Sequence, residues 1–355
     1  MKKLVLSGIV ILGTQSMIIH DASAQATGGA AVIRIRGSSD NALSLPYQRP
    51  PIDAGKVAAV NAQAVRLQGK NWTPDEYAYA ADVQPVTHYA QFDSGPLEGV
   101  FYRILSNNAD TLVLDTESDD LTNHPLGQVQ FGDDVKIVPY WSVAEVFGAT
   151  EAELVIEPRV SPLFPKDDVL LYDPVQIGFN KAPTATLYFR AGQGWRSVQN
   201  PNVDAGDTIL PPGGVFVVRR RNAEGASLVN YGLFDRTRRV VFVQGGDGSR
   251  GNDHYASLAF PEPVTLDESN LGGTVVRPSS SVLLRADELL LWRSAPVGLN
   301  VPPNVTLFFH QADGWRRVGE SAPVGSSFRI EPGEALIVRK KLSSPGTDWV
   351  QLPPP

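Results

Sequence analysis

Residues 168–221 reappear at 288–341, displaced by 120 positions without a gap. A chain that repeats itself this way must fold the stretch twice, so each copy tests any reading of the other. Sixteen of the 54 aligned positions are identical, against roughly 3 or 4 expected from average composition. Leu170-Leu171 recurs as Leu290-Leu291, Gly178 and Asn180 as Gly298 and Asn300, and Gly194-Trp195-Arg196 as Gly314-Trp315-Arg316. Pro212-Gly213 recurs as Pro332-Gly333, and Val218-Arg219 as Val338-Arg339. The shared positions are turn glycines, turn prolines and apolar residues. No acid, general base or nucleophile recurs in the block, so it reads as scaffold and names no reaction.

The copies point to strands. Asp287–Trp292 alone would pass for helix, but its partner stretch lies between Pro165 and Pro174, and an apolar run bounded by prolines is a buried strand. Strands are expected at 184–190 and 195–198, joined by a hairpin loop whose retained Gly194 takes positive φ. Pro212-Gly213 and Pro332-Gly333 fit the centre of type II turns, each followed by another strand. Five short strands per copy make a small sandwich or barrel unit. Glycine (32) and proline (28) punctuate short apolar runs along the whole chain, the pattern of an all-β protein. Thr73–Ala81 and Ser142–Ala152 are the modest helical candidates.

The expected organisation is a signal segment at 1–24, an N-terminal β module at 25–157, a first repeat unit with its extension at 158–270, and a second unit with a proline-rich tail at 271–355. The signal reading rests on Lys2 and Lys3, the apolar stretch Leu4–Ile19 and the small residues Ala22-Ser23-Ala24 before Gln25. The apolar stretch is short and interrupted for a membrane span of about 20 residues. The mature protein is expected to be exported, to the periplasm, cell surface or medium, and not to be an integral membrane protein. In the N-terminal module, strands are expected at Lys56–Val60, Ala64–Gln68, Val100–Leu105, Thr111–Leu114 and Asp134–Tyr140. Further strands near Val240–Gln244 and Tyr255–Phe260 are assigned to the first unit. Ser44-Leu45…Pro50 faintly echoes Ser257-Leu258…Pro263 at the same spacing, an echo too short to carry weight.

The chain has no cysteine, which removes disulfides, thiolate catalysis and cysteine metal sites together. Its net charge of −7 opposes a phosphate backbone, so no nucleic-acid partner is expected. His88, His124, His254 and His310 are scattered without zinc-helix spacing. Gly248-Ser249-Arg250-Gly251 lacks the spacing of a nucleophile elbow. The oxygen-rich loops containing Asp115, Glu117, Asp119 and Asp120, and Asp247 and Asp253, read first as solvated turns. Calcium is their alternative, although neither reproduces a helix-loop-helix calcium site. No other cofactor is expected.

Trp195 and Trp315, each followed by arginine (Arg196, Arg316), carry the sharpest functional option. Exposed, they would stack on sugar rings while the arginines bond hydroxyls or acids. Buried, each indole would anchor a small core, and this is the favoured reading, shared by Trp72, Trp141 and Trp292. Trp349 is expected to be exposed. Three basic groups, Arg219-Arg220-Arg221, Arg339-Lys340-Lys341 and Arg236 with Arg238 and Arg239, are read as guards of exposed strand edges. Their alternative is docking on an anionic polysaccharide or envelope surface.

The order of motifs resembles an uncharacterised family of exported β-rich proteins of verrucomicrobial bacteria. The likeness is carried by Ser44-Leu45-Pro46 with Arg49-Pro50, Ser94-Gly95 with Glu98-Gly99, Ser106-Asn107 with Thr111-Leu112, and Gly132-Asp133. The run Ile137-Val138-Pro139-Tyr140-Trp141 through Phe147, the two Gly-Trp-Arg motifs, Asn252-Asp253 and Pro263-Val264-Thr265-Leu266 complete it. Gly148 stands where the family pattern has proline. The resemblance implies export and β architecture and brings no activity, ligand or catalytic residue. The sequence therefore leads to an exported, non-enzymatic structural or adhesive β-repeat protein, meeting envelope or extracellular polysaccharide or surface proteins. Carbohydrate binding through the Trp–Arg faces is the alternative.

Overall fold

A computed structural model describes residues 27–354 apart from 118, 162–163, 235 and 294–296. The signal segment expected at 1–24 lies outside the described residues. The protein is all-β, with one short helix among the described residues.

The chain opens with β1 (Thr27–Ile35) and β2 (Ser39–Ser44). It continues through β3 (Asp53–Val60), β4 (Ala64–Leu67), β5 (His88–Phe92), β6 (Phe101–Asn107), β7 (Thr111–Leu114) and β8 (Asp134–Pro139). After β9 (Trp141–Ser142) and α1 (Val143–Phe147) come β10 (Asp168–Leu171), β11 (Ala185–Arg190) and β12 (Gly194–Ser197). Next are β13 (Ile209–Leu210), β14 (Val215–Arg220), β15 (Ala226–Phe234), β16 (Arg239–Val243), β17 (Asn252–Ser257) and β18 (Val264–Thr265). β19 (Glu288–Leu291), β20 (Val305–His310), β21 (Gly314–Arg317), β22 (Arg329–Ile330), β23 (Ala335–Lys340) and β24 (Thr347–Gln351) complete the order.

Three bodies result. β3-β4-β7-β6-β5-β8 close into an antiparallel barrel. Closure leaves no free sheet edge. Alternation supplies its filling: Val57, Val65, Leu67, Ile104, Leu112, Leu114 and Val135 point inward and are essentially inaccessible. The other two bodies have the same plan. Unit 1 is the sheet β12-β11-β10-β14-β2, and unit 2 is β21-β20-β19-β23-β17. Each sheet is accompanied by a two-stranded ribbon, β1-β15 or β16-β24, and a short pair, β9-β13 or β18-β22.

This pairing moves two of the expected boundaries. β1 and β2 belong to unit 1 rather than to the N-terminal module. β16 and β17 belong to unit 2 rather than to an extension of unit 1. The Ser44/Ser257 echo is therefore a structural equivalence: β2 flanks β14 as β17 flanks β23, in the same register. The duplication spans the whole of both units. Unit 2 passes from Pro261 to β18 directly, whereas unit 1 sends out the barrel between Pro50 and Tyr140 and resumes at β9. The barrel is an insertion in the first copy.

The connection resumes with the same local chemistry in both copies. Ser142 caps α1 by accepting the Glu145 N–H, while the Glu145 carboxylate accepts the Ser142 N–H, a capping box. Thr265 and Glu268 make the identical exchange in unit 2. The expected type II turns are present: Gly213 and Gly333 take φ of 69° and 74°, and Gly214 N–H bonds Pro211 O at 2.9 Å.

Candidate functional site: the seam between the repeated units

Arg219 on β14 faces Asp40 on β2 in the strand register, and Arg339 on β23 faces Asp253 on β17. Each forms a bidentate pair. Arg219 Nε and Nη2 donate to the two Asp40 oxygens at 2.8 Å each, and Arg339 Nε and Nη2 to Asp253 at 2.7 and 2.8 Å. Each carboxylate also accepts a backbone N–H from the opposite unit: Asn300 to Asp40 at 2.8 Å and Asn180 to Asp253 at 2.7 Å. The arginines reach the same asparagines, Arg219 Nη2 to Asn300 Oδ1 at 2.6 Å and Arg339 Nη2 to Asn180 Oδ1 at 3.2 Å. The aspartate N–H groups return the exchange to Gly298 O and Gly178 O.

The seam is therefore isologous, as in a two-fold dimer, though both halves lie in one chain. Asn180 and Asn300 hold φ of 50° and 56°, a left-handed conformation that asparagine tolerates better than most residues. The recurrence of Gly178, Asn180 and Arg219 as Gly298, Asn300 and Arg339 is explained by this clamp.

Between the two clamps lies a cavity of about 360 Å3. Its walls break the two-fold symmetry. On one side Tyr172 and Tyr255 stack, with ring centroids 4.4 Å apart. Lys181 lies beside them, its ammonium 6.0 Å from the Tyr255 ring and bonded to Gln176 O at 2.8 Å. Burial pushes the Lys181 pKa down, against the pull of Asp253 and Asp173. On the other side the equivalents of Tyr172, Lys181 and Tyr255 are Trp292, Val301 and Ala42. Ala42 has no ring to fill the mirrored space. Arg36, Lys181, Arg219 and Arg339 line the cavity together with Asp40 and Asp253.

The sugar-stacking reading of the repeated tryptophans fails on burial. Trp195 and Trp315 are each 1 % exposed. Trp195 packs edge-on against Phe189 and donates its indole N–H to Gly148 O at 2.8 Å; Trp315 meets Phe309. Arg196 is engaged with Asp204 and Trp195 O, and Arg316 with Asp313 and Ser321 O. Trp349, expected outside, is fully buried and donates to Ser269 O at 2.6 Å. β24 runs past the repeated block to pair with β16, and this places Trp349 in the unit 2 core.

The candidate calcium ligands are dispersed into ordinary partnerships. Asp253 is spent on Arg339, and Asp247 closes its own turn onto Ser249 and Arg250, bonds that hold its carboxyl well below the usual range. Asp115 pairs with Arg103, Asp119 accepts the Tyr102 hydroxyl at 2.8 Å, and Asp120 accepts Thr122. Glu117 sits in the same loop at φ 51°. Among the described residues, no three histidine or carboxylate side chains converge to hold a metal.

The two repeat-end groups guard no edge, because β14 and β23 are interior strands that receive β2 and β17 as neighbours, whereas Arg239 begins β16 of a two-stranded ribbon. Most of their charges are spent on internal partners, although Lys341 and Arg236 keep 41 % and 45 % of their side chains exposed. Arg220 pairs with the inaccessible Asp167 at 2.7 Å, and Arg221 with Asp168 at 3.2 Å. In unit 2, Lys340 is fully buried beside Asp287, and Lys341 faces Glu288. Burial lowers the Lys340 pKa, while Asp287 counters it. Asp167 and Asp287 are an identical recurring acid, placed one residue before the repeated block. Arg238 serves a different joint, donating to Glu98 O and Pro96 O of the barrel at 2.9 and 2.7 Å.

Comparison with known protein families, curated proteins and solved structures finds no match. The functional reading therefore rests on this chain alone. Among the described residues, no helix is long and apolar enough to cross a membrane.

Proposed function

We propose that this is an exported, non-enzymatic structural or adhesive protein, built as a rigid three-body β scaffold that meets envelope or extracellular polysaccharide or surface proteins. The observation that carries the reading is the destination of the recurring residues. Trp195 and Trp315 fill the unit cores, Asp167 and Asp287 anchor buried charges, and Arg219 and Arg339 lock the seam. A duplication that keeps those residues keeps shape. The barrel, fastened through Arg238 and by the bond from Val240 N–H to Gly99 O, adds a third face to the same body. Export is supported by the charged, apolar and small-residue order of residues 1–24.

The test is expression with the native N-terminus, fractionation, and terminal sequencing, followed by sedimentation of the purified protein with isolated cell envelopes. A chain beginning at Gln25 outside the cytoplasm that co-sediments with envelopes supports the proposal. A cytoplasmic, full-length chain that stays in the supernatant contradicts it.

A further inference from the structure

We propose that Arg239 holds a small monovalent anion, of the size of chloride, where the barrel and the two repeated units meet. The site goes beyond the scaffold role, does not depend on export, and involves neither the seam clamps nor the Trp–Arg motifs.

Among the described residues, the buried cationic side chains are Arg159, Lys181, Arg220, Arg239 and Lys340. All but one have internal partners. Arg159 pairs with Asp168, Arg220 with Asp167 and Lys340 with Asp287, and Lys181 donates to backbone carbonyls. Arg239 is the exception. It is 6 % exposed, its Nη1 is buried without a hydrogen-bond partner, and it forms no ion pair with a described carboxylate. The neighbouring Arg236 and Arg238 already face Glu262 and Glu98. A charge taken out of water without a counter-charge is costly, so buried charges are ordinarily paired.

The fold itself does not ask for a cation at this place. Arg239 stands opposite Gln351 in the β16-β24 ribbon as Ala31 stands opposite Asn230 in the β1-β15 ribbon. The two amides do matching work: Asn230 bonds the Tyr47 backbone just after β2, and Gln351 bonds Ala259 N–H and Ser257 O at the end of β17. Unit 1 therefore builds the same corner with a methyl group where unit 2 has a guanidinium.

Arg239 lines a cavity of about 30 Å3, bounded by Tyr89 and Phe101 of the barrel, Trp141 and Phe234 of unit 1 and Val241 of unit 2. No aspartate or glutamate is among its walls, and the other arginine there, Arg49, is held by Glu145. Size and charge together select the ligand. About 10–15 Å3 holds one water molecule, so this space suits a monatomic ion and is too small for a sugar or a phosphate ester. One guanidinium balances one negative charge, which favours a monovalent ion over a divalent one. The surrounding aromatic rings carry positive edges, and Gln48, whose Oε1 accepts the Tyr89 hydroxyl at 2.9 Å, has its amide nitrogen left as a second donor on the wall.

The experiment is thermal unfolding of the intact protein at fixed ionic strength while chloride replaces gluconate. The melting temperature should rise saturably with chloride, by about 3 °C or more, and bromide should act alike. Arg239→Ala, which copies Ala31 of unit 1 into unit 2, should fold and lose the response. If that variant does not fold, anomalous scattering from parent crystals grown in bromide decides, and an ion beside the Arg239 guanidinium supports the site. Equal melting temperatures in both salts, an Arg239→Ala response like the parent's, or no bromide at Arg239 overturns it. A chloride response that appears only in Asp235→Asn also overturns it, because the chain would then supply its own counter-ion.

Discussion

Asp40 accepts the backbone N–H of Asn300 at 2.8 Å across 260 residues of chain, and Asp253 accepts that of Asn180 at 2.7 Å in the mirrored contact. Neither aspartate is held by its own unit alone. The arginine that orients each carboxylate comes from the neighbouring strand, and the asparagine that completes the site comes from the opposite unit. The pairing inside each unit and the contact between units thereby share the same two carboxylates.

Removing the seam carboxylate should cost more in unit 2 than in unit 1. Asp253 is 1 % exposed, whereas the side chain of Asp40 is 19 % exposed. Asp253→Ala leaves Arg339 without its bidentate partner, and breaking a buried pair costs about 3–5 kcal/mol. Asp40→Ala should cost clearly less. Calorimetric unfolding of both variants checks the order, and equal losses would contradict the assignment of Asp253 as the more buried node.

The two repeated tryptophans should behave alike and as core residues. Trp195→Ala and Trp315→Ala should each destabilise by about 3–5 kcal/mol, the range for deleting a large buried aromatic. Denaturant unfolding gives the number. Quenching of the parent's fluorescence by iodide should leave both indoles untouched, since each is 1 % exposed.

His254 makes stability pH-dependent. It is buried on β17, accepts the Gln244 N–H on Nδ1 at 3.2 Å, and burial, aided by Lys181 and Lys340, pushes its pKa down to about 3 from the usual 6.5. Between those values the unfolded chain binds a proton that the folded chain refuses. Stability from this residue is therefore present above pH 6.5 and falls as pH drops towards 3, by up to about 5 kcal/mol at about 1.4 kcal/mol per unit. His254→Gln should flatten that part of the melting-temperature profile. An unchanged slope would show that other groups set it.

The barrel should be dispensable for folding of the rest. Unit 2 joins its equivalent strands through the six residues 258–263 alone, so a chain with Pro50 linked directly to Tyr140 should still fold cooperatively. It should lose the contacts that Arg238 and Val240 make with the barrel, the Tyr89–Gln48 hydrogen bond, and the packing of Tyr89 on Tyr140 and Ile209. Circular dichroism and size-exclusion chromatography of that deletion decide the matter; an unfolded or aggregated product would mean the barrel is integral to unit 1.

The strands of both copies were legible from the sequence because local signals sufficed: glycine and proline at turns, apolar runs between them, each checked by its counterpart. The membership of those strands was not. β2 reaches β14 across some 170 positions, and its only trace in the sequence is the brief likeness of Ser44-Leu45 to Ser257-Leu258. An inserted barrel separates that trace from the rest of its unit. The arginine clusters looked like edge protection for the same reason, since the neighbour that makes β14 interior is remote. Gly178 and Asn180 were visible as recurring residues, but the glycine read as a turn former and the asparagine had no assigned role. A turn residue whose N–H is consumed by a carboxylate on another unit looks no different in one dimension. Asp167 and Asp287, the recurring acid, escaped by a single position at the border of the aligned block.

Hydrogen exchange at the Asn180 and Asn300 amides is the most direct measurement of the seam. Both residues lie in exposed loops, where an unengaged amide exchanges freely. The structure predicts strong protection at both, with Asp253→Ala releasing Asn180 and leaving Asn300 slow. Exchange of both amides at the rate of the surrounding loop in the parent protein would mean that the two units are not locked together as described.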